Sequence, residues 1–158
     1  MPPSRTHRPA PAQALDGRGV RLAIVASEYH PEILERMVED ARRQARQLGS
    51  HVVATVRVPG TYDIPLAVQR LLARKDVDAA VALGAVLQGE TDHDQVIMYA
   101  TTKTLQELSL ARSKPVGLGI TGPGETRKQA LARVDRAGGA VRAVVAMVQR
   151  LRPLRPRR

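Results

Sequence analysis

The segment GAVLQGETDHD, Gly84 to Asp94, sets a histidine beside a threonine and three carboxylates, directly after a run of small apolar residues. Imidazole is the one side chain that both gives and takes protons near neutrality, so His93 is the candidate general acid or base. A lone histidine at a helix start also serves as an ordinary surface or capping residue. The Gly89-Glu90-Thr91 turn exposes backbone N–H groups and a hydroxyl where a helix begins, and the helix dipole adds partial positive charge. Such a turn can hold an anion, or it can simply cap the helix, with Asp92 as the expected capping carboxylate.

Three other groups have chemistry to offer. The chain has three Tyr and no Phe or Trp, and Tyr29 and Tyr62 both fall in loops instead of apolar runs. Rings placed there can stack on a flat ligand, or each can staple its own helix. Asp63 can accept hydrogen bonds from ring N–H groups or start the helix after Pro59-Gly60. Arg133 follows GPGETRKQALA and is read as helical; its guanidinium can reach a phosphate or belong to a solvated basic face.

These residues act together only if the fold gathers them. At 158 residues the chain is the size of one domain. RLAIVAS, Arg21 to Ser27, is a short apolar run and the first expected strand. From Pro31 to Gly49, Ile33, Leu34, Met37, Val38, Ala41, Ala45 and Leu48 recur at helical spacing. HVVATVRV, His51 to Val58, reads as a strand, and Ile64, Leu66, Ala67, Val68, Leu71 and Leu72 as the next helical face. VDAAVALGAV, Val77 to Val86, has the unbroken apolar character of a strand covered on both faces. A helix is expected from about Asp94 to Ala111, then a strand through VGLGI, ending at Thr121 to Gly124. Glu125 to Leu151 reads as helical, interrupted at Gly138-Gly139.

Strands alternating with helices predict an α/β fold: a three-layer αβα sandwich, flavodoxin-like, with a four-stranded parallel sheet in the order 2-1-3-4. Ligands of such sheets gather beyond the C-terminal strand ends. Those ends are Ser27 to His30, Pro59 to Asp63, Gly84 to His93 and Leu118 to Gly124, which hold most of the candidates above.

Composition narrows the classes. The chain has no Cys, which excludes disulfides and thiolate metal sites. No apolar run approaches the roughly 18 to 20 residues of a membrane span, and the N-terminus lacks the apolar core of a signal peptide. The cytoplasm is therefore the expected compartment. Net charge is +10, with much of the excess at the ends, in Arg5, His7 and Arg8 and in Arg150, Arg152, Arg155, Arg157 and Arg158. Without interleaved aromatics this charge is not read as a nucleic-acid site. The expected organisation is a flexible basic arm over residues 1–19, one domain over 20–151 and a basic tail over 152–158.

Taken in order, SEYH, VPGTYDIPLAV, ALGAVLQGETDHD and KPVGLGITGPGETRKQALARVD resemble the lumazine synthase family, and its archaeal type in the GPG form of the last segment. The resemblance runs from Arg21 to Leu151. It implies condensation of 5-amino-6-(D-ribitylamino)uracil with 3,4-dihydroxy-2-butanone 4-phosphate, the penultimate step of riboflavin synthesis, without cofactor or metal. By the same resemblance Tyr29 stacks on the pyrimidine, Thr61, Tyr62 and Asp63 meet the ribityl chain, and Ala85, Val86 and Leu87 bind the pyrimidine edge through backbone. Glu90 by its backbone and Thr91 hold the butanone phosphate, and His93 is the proton donor. Leu118 and Arg133 are implied to come from the adjoining subunit of a homo-oligomer, a pentamer or a sixty-subunit shell.

Three departures from the family pattern stand out. Tyr29 replaces the usual Phe or Trp, and His30 replaces the Asn that usually follows. Asp63 stands where many members have Glu, as it does in archaeal ones. The Lys expected near the start of the last helix gives way to the Gly138-Gly139 region, with Arg136 as the candidate replacement. Two other readings share the scaffold: an archaeal-type riboflavin synthase paralogue, and a non-catalytic shell or flavin-binding protein.

Overall fold

The computed structural model describes residues 14–157. Two strands, β1 (Arg21–Ser27) and β3 (Ala79–Leu87), are buried along almost their whole length. A strand with no wet face must be covered by helices on both sides, and this forces a layered architecture. The remaining elements are α1 (Pro31–Leu48), β2 (His51–Val58), α2 (Ile64–Leu72), α3 (His93–Arg112), β4 (Val116–Glu125), α4 (Arg127–Leu131) and α5 (Arg136–Leu151). The strands pair in parallel in the order β2-β1-β3-β4, the flavodoxin-like order that the alternation of elements predicts.

The strands' two-residue period divides the core. Leu22, Ile24 and Ala26 of β1 with Val81 and Leu83 of β3 pack against α1 and α5. Ala23 and Val25 with Ala80 and Ala82 face α2 and α3 on the other side. Each fully buried Leu or Ile contributes about 2 kcal/mol relative to exposure. In α1 the buried residues are Ile33, Leu34, Met37, Val38, Ala41 and Ala45, and the helix ends as Gly49 turns left-handed at φ 77°.

Two parts of the pattern are corrected. Leu66 is 64% exposed, because the stripe of α2 runs through Ile64, Val68, Leu71 and Leu72, and a residue two places from Ile64 faces away. The last third is not one helix broken at Gly138-Gly139. The break falls at residues 132–135, and α5 runs through both glycines. Gly138 lies in the first turn of α5, where backbone N–H groups lack helical partners. Its N–H donates to Asp40 Oδ2 of α1 at 2.8 Å, and a Cβ there would meet the same oxygen at 2.6 Å. Glycine here lets one helix cap the other.

The arm expected over residues 1–19 lies outside the described residues as far as residue 13. Within residues 14–19 the Gly17 N–H donates to the Leu48 carbonyl, at the end of α1, at 2.8 Å. At the other end Arg152–Leu154 form a short 3₁₀ turn.

The starts of β1 and β3 are tied by an ion pair. Arg21 donates to Asp78 from its backbone N–H at 2.8 Å and from its guanidinium at 2.9 and 3.1 Å. Partial burial pushes the Asp78 carboxyl up, but the Arg21 guanidinium and N–H together outweigh it and hold the group below its ordinary 3.8. A depressed carboxylate stabilises the fold fully above its unfolded value and ceases to do so as pH falls through the folded one. Asp78→Asn is thus expected to cost about 1 kcal/mol at neutral pH. The gap between thermal melts of the variant and the parent protein should narrow as pH falls below the ordinary carboxylate range and through the depressed titration of Asp78.

Candidate active site

At the C-terminal ends of β1, β2 and β3 lies a cleft of about 530 Å³. Its first wall begins where β1 stops. Tyr29 is 66% exposed and lines the cleft, and His30 beside it turns left-handed at φ 55°. That turn lets the His30 carbonyl accept from the N–H groups of Ile33 and Leu34, which starts α1. Asn and His are both enriched in this conformation, so His30 can make the turn for which the family pattern has Asn.

The second wall follows β2. Pro59-Gly60 leads into a 3₁₀ turn, Thr61–Asp63, closed by Asp63 Oδ2 accepting from the Gly60 N–H at 2.9 Å. The carboxylate is therefore at least partly a structural group. Thr61 is buried against β3: a Cβ added to Gly84 would lie 2.8 Å from Thr61 Oγ1. Gly84 is what allows this turn to close over the sheet. Tyr62 is 69% exposed and lines the same cleft as Tyr29.

The floor is the end of β3. Ala85 and Val86 are buried, Leu87 is half-buried, and pairing with β4 shifts register between Ala85 and Leu87. Such irregularities re-aim the chain at sheet ends. Beyond them α3 opens on His93, an exposed residue lining the cleft.

The expected cap by Asp92 is corrected: its carboxylate makes no capping bond, because its backbone (φ −79°, ψ 19°) is not in the extended region a capping residue adopts. The Thr91 hydroxyl instead accepts from the His93 N–H, at a long 3.4 Å.

Two buried acids escaped the sequence reading. Asp94 Oδ2 accepts from the Gly124 N–H at 2.8 Å and so fastens the first turn of α3 to the end of β4. A signal for it existed, since Asp94 falls at helical spacing on the buried stripe of Met98, Thr101 and Leu105. Glu125, read as the start of a helix, is the last residue of β4 and is buried between Thr121 and Arg133.

One chain thus brings Tyr29, Thr61, Tyr62, Asp63, Ala85, Val86, Leu87 and His93 together. Glu90 and Thr91 are exposed on the loop between Gly89 and His93, both of which line the cleft. Two candidates stand elsewhere. Leu118, 52% exposed on the edge strand β4, lines a separate groove with Lys103 and Met147. Arg133 is not helical. It occupies the turn after α4, where the bonds Arg133 N–H to Ala130 and Arg136 N–H to Arg133 close tight three-residue steps. Arg136, at the start of α5, is exposed. Among the described residues no three His, Asp or Glu side chains are grouped to hold a metal ion.

A parallel flavodoxin-like sheet with a tyrosine-lined, polar-rimmed cleft at its strand-order switch point defines the class, an α/β protein with its candidate site where ligands of such sheets gather. Comparison with known proteins makes the class specific. A family model for 6,7-dimethyl-8-ribityllumazine synthase matches residues 19–152. Proteins named 6,7-dimethyl-8-ribityllumazine synthase are 50% identical over 135 residues in Methanopyrus kandleri, covering 85% of this chain and 96% of that one. The Staphylothermus marinus protein of the same name is 49% identical (85% and 90% covered), and the Picrophilus torridus protein is 45% identical (84% and 98% covered). The chain belongs to the 6,7-dimethyl-8-ribityllumazine synthase family.

The fastening at Asp94 generates a prediction. Asp94→Ala leaves the Gly124 N–H without its partner and should lower stability by about 1–3 kcal/mol. A reduced midpoint in denaturant, with unchanged slope, is the expected reading.

Proposed function

We infer that this protein condenses 5-amino-6-(D-ribitylamino)uracil with 3,4-dihydroxy-2-butanone 4-phosphate to 6,7-dimethyl-8-ribityllumazine, the penultimate step of riboflavin biosynthesis. The observation that carries the reading is the meeting of Tyr29, Tyr62 and His93 in one cleft at the strand ends, in a chain of this family. The amine of the pyrimidine adds to the ketone and loses water to give an imine. Phosphate leaves by elimination, and the ring closes with loss of a second water.

Each step needs two reactants in register and protons moved between them. Tyr29 presents its ring face to the pyrimidine, whose polar edge meets the backbone of Ala85, Val86 and Leu87. Thr61, Tyr62 and Asp63 take the ribityl chain, and the backbone of Glu90 with the Thr91 hydroxyl receives the phosphate near the start of α3. His93, one residue into that helix, shuttles protons between the reacting amine and the departing groups. Orientation alone can supply about 7–11 kcal/mol of a bimolecular barrier, against the roughly hundredfold or more that a proton shuttle adds. Positioning is the larger share.

Leu118 and Arg133 complete the site from an adjoining copy. This arrangement is supported by their absence from the lining of the chain's own cleft and by large apolar residues left exposed among the described residues. Val96, Tyr99 and Leu110 on α3 and Leu66 on α2 are each 64% exposed or more. A face of this kind suits a homo-oligomer, and a pentamer, alone or assembled into a shell, is the state proposed. The compartment proposed is the cytoplasm, where a phosphorylated ketone is retained by its charge.

The direct test is formation of the lumazine from its two substrates. Dismutation of added lumazine to riboflavin would instead favour the paralogue, and no turnover the non-catalytic reading. His93→Ala is expected to lower kcat about a hundredfold without abolishing activity; an undiminished rate contradicts the shuttle. Light scattering should give a mass at least five times that of the chain, and a monomer at assay concentration contradicts the shared site.

A further inference from the structure

Glu125 is 1% exposed, and the chemistry above gives it nothing to do. A carboxylate is costly to bury unless its oxygens are paired. Both are. The Thr121 hydroxyl donates to Oε1 at 2.6 Å, and Arg133 Nη1 donates to Oε2 at 3.2 Å. The backbone is held too: the Glu125 carbonyl accepts from the Gln88 N–H at 2.8 Å, and Glu125 pairs with Leu87 across the sheet. This acid is therefore fixed to the rigid strand ends. Among the described residues its one ion-pair partner is Arg133.

Arg133 is its complement. The side chain is 44% exposed, it springs from a turn, and among the described residues its guanidinium has no other hydrogen-bond partner. Unrestrained, such a side chain has rotamer freedom that any ligand would have to remove. Contact at Nη1 alone restrains one corner of the fork and leaves the remaining N–H groups for an anion.

We propose that Glu125 is a positioning residue for Arg133, holding its guanidinium ready to clamp the phosphate of the second substrate in the adjoining subunit's site. Thr121 orients the acid, the acid orients the arginine, and the arginine meets the phosphate. The proposal rests on the reading of Arg133 as a phosphate ligand. It adds that the ligand is preset by an acid that never touches substrate.

Charge and position make opposite contributions here. The carboxylate repels a bound phosphate while it orients the guanidinium. Glu125→Asp separates the two, since it keeps the charge but withdraws it by one methylene. Steady-state kinetics of this variant, measured against each substrate in turn, provide the test. The KM for the butanone phosphate is expected to rise about tenfold, with the KM for the pyrimidine unchanged. In an Arg133→Lys background, Glu125→Asp should add little further. An unchanged phosphate-substrate KM overturns the proposal. So does a parallel rise in both KM values, or full additivity in the double variant. Should Glu125→Asp fail to fold, Glu125→Gln keeps the side-chain length and is judged by the same ratio of KM values. An unsubstituted protein that makes no lumazine would remove the functional reading itself, a result distinct from any of these.

Discussion

The two central strands have no wet face, and most of the molecule's organisation follows from that constraint. β1 and β3 are covered on one side by α1 and α5 and on the other by α2 and α3, so their side chains must be apolar or small. No proton donor or phosphate ligand can sit along such strands without a partner. Polar chemistry is driven to the ends, and at the C-terminal ends the following helices begin, with unpaired N–H groups and a positive dipole end. Tyr29, Thr61 and His93 are found there because this is where the sheet first permits a polar group.

The same constraint explains how the strand ends are made rigid. At the strand ends the backbone needs new partners, and acids supply them: buried Asp94 takes the Gly124 N–H and exposed Asp63 the Gly60 N–H. Glu125 differs in holding a side chain, through the Thr121 and Arg133 contacts. Two of these acids, Asp63 and Asp94, line the cleft as well. The wall of the site and its supports are thus partly the same residues. Arg133 is not among the residues that line the chain's own cleft.

The fold was legible because the period of the hydrophobic pattern is set by local geometry. The apolar run from Ala79 to Val86 reads as a strand covered on both faces, and the stripe of α1 matched in detail. The candidates in the β1, β2 and β3 loops could be placed in one cleft once the strand order was known. What escaped depends on distant partners. Gly138 looks like a helix breaker until Asp40, 98 residues away, is seen to accept from its N–H. Asp92 looked the better cap from its type alone, but the backbone angles that deny it that role are set by the loop. Glu125 looked like a helix start because its partners, Thr121 and Arg133, are brought to it only when β4 extends to its full length.

The central claim is that the pyrimidine substrate occupies the cleft between the early tyrosine loops and the start of α3. With only three Tyr and four His in the chain, side-chain NMR can read this nearly residue by residue during titration with the ribitylaminouracil alone. The account predicts that the ring signals of Tyr29, Tyr62 and His93 shift together with one dissociation constant, while Tyr99 and His51 stay in place. Shifts at Tyr99 or His51 with the other three unmoved would contradict it.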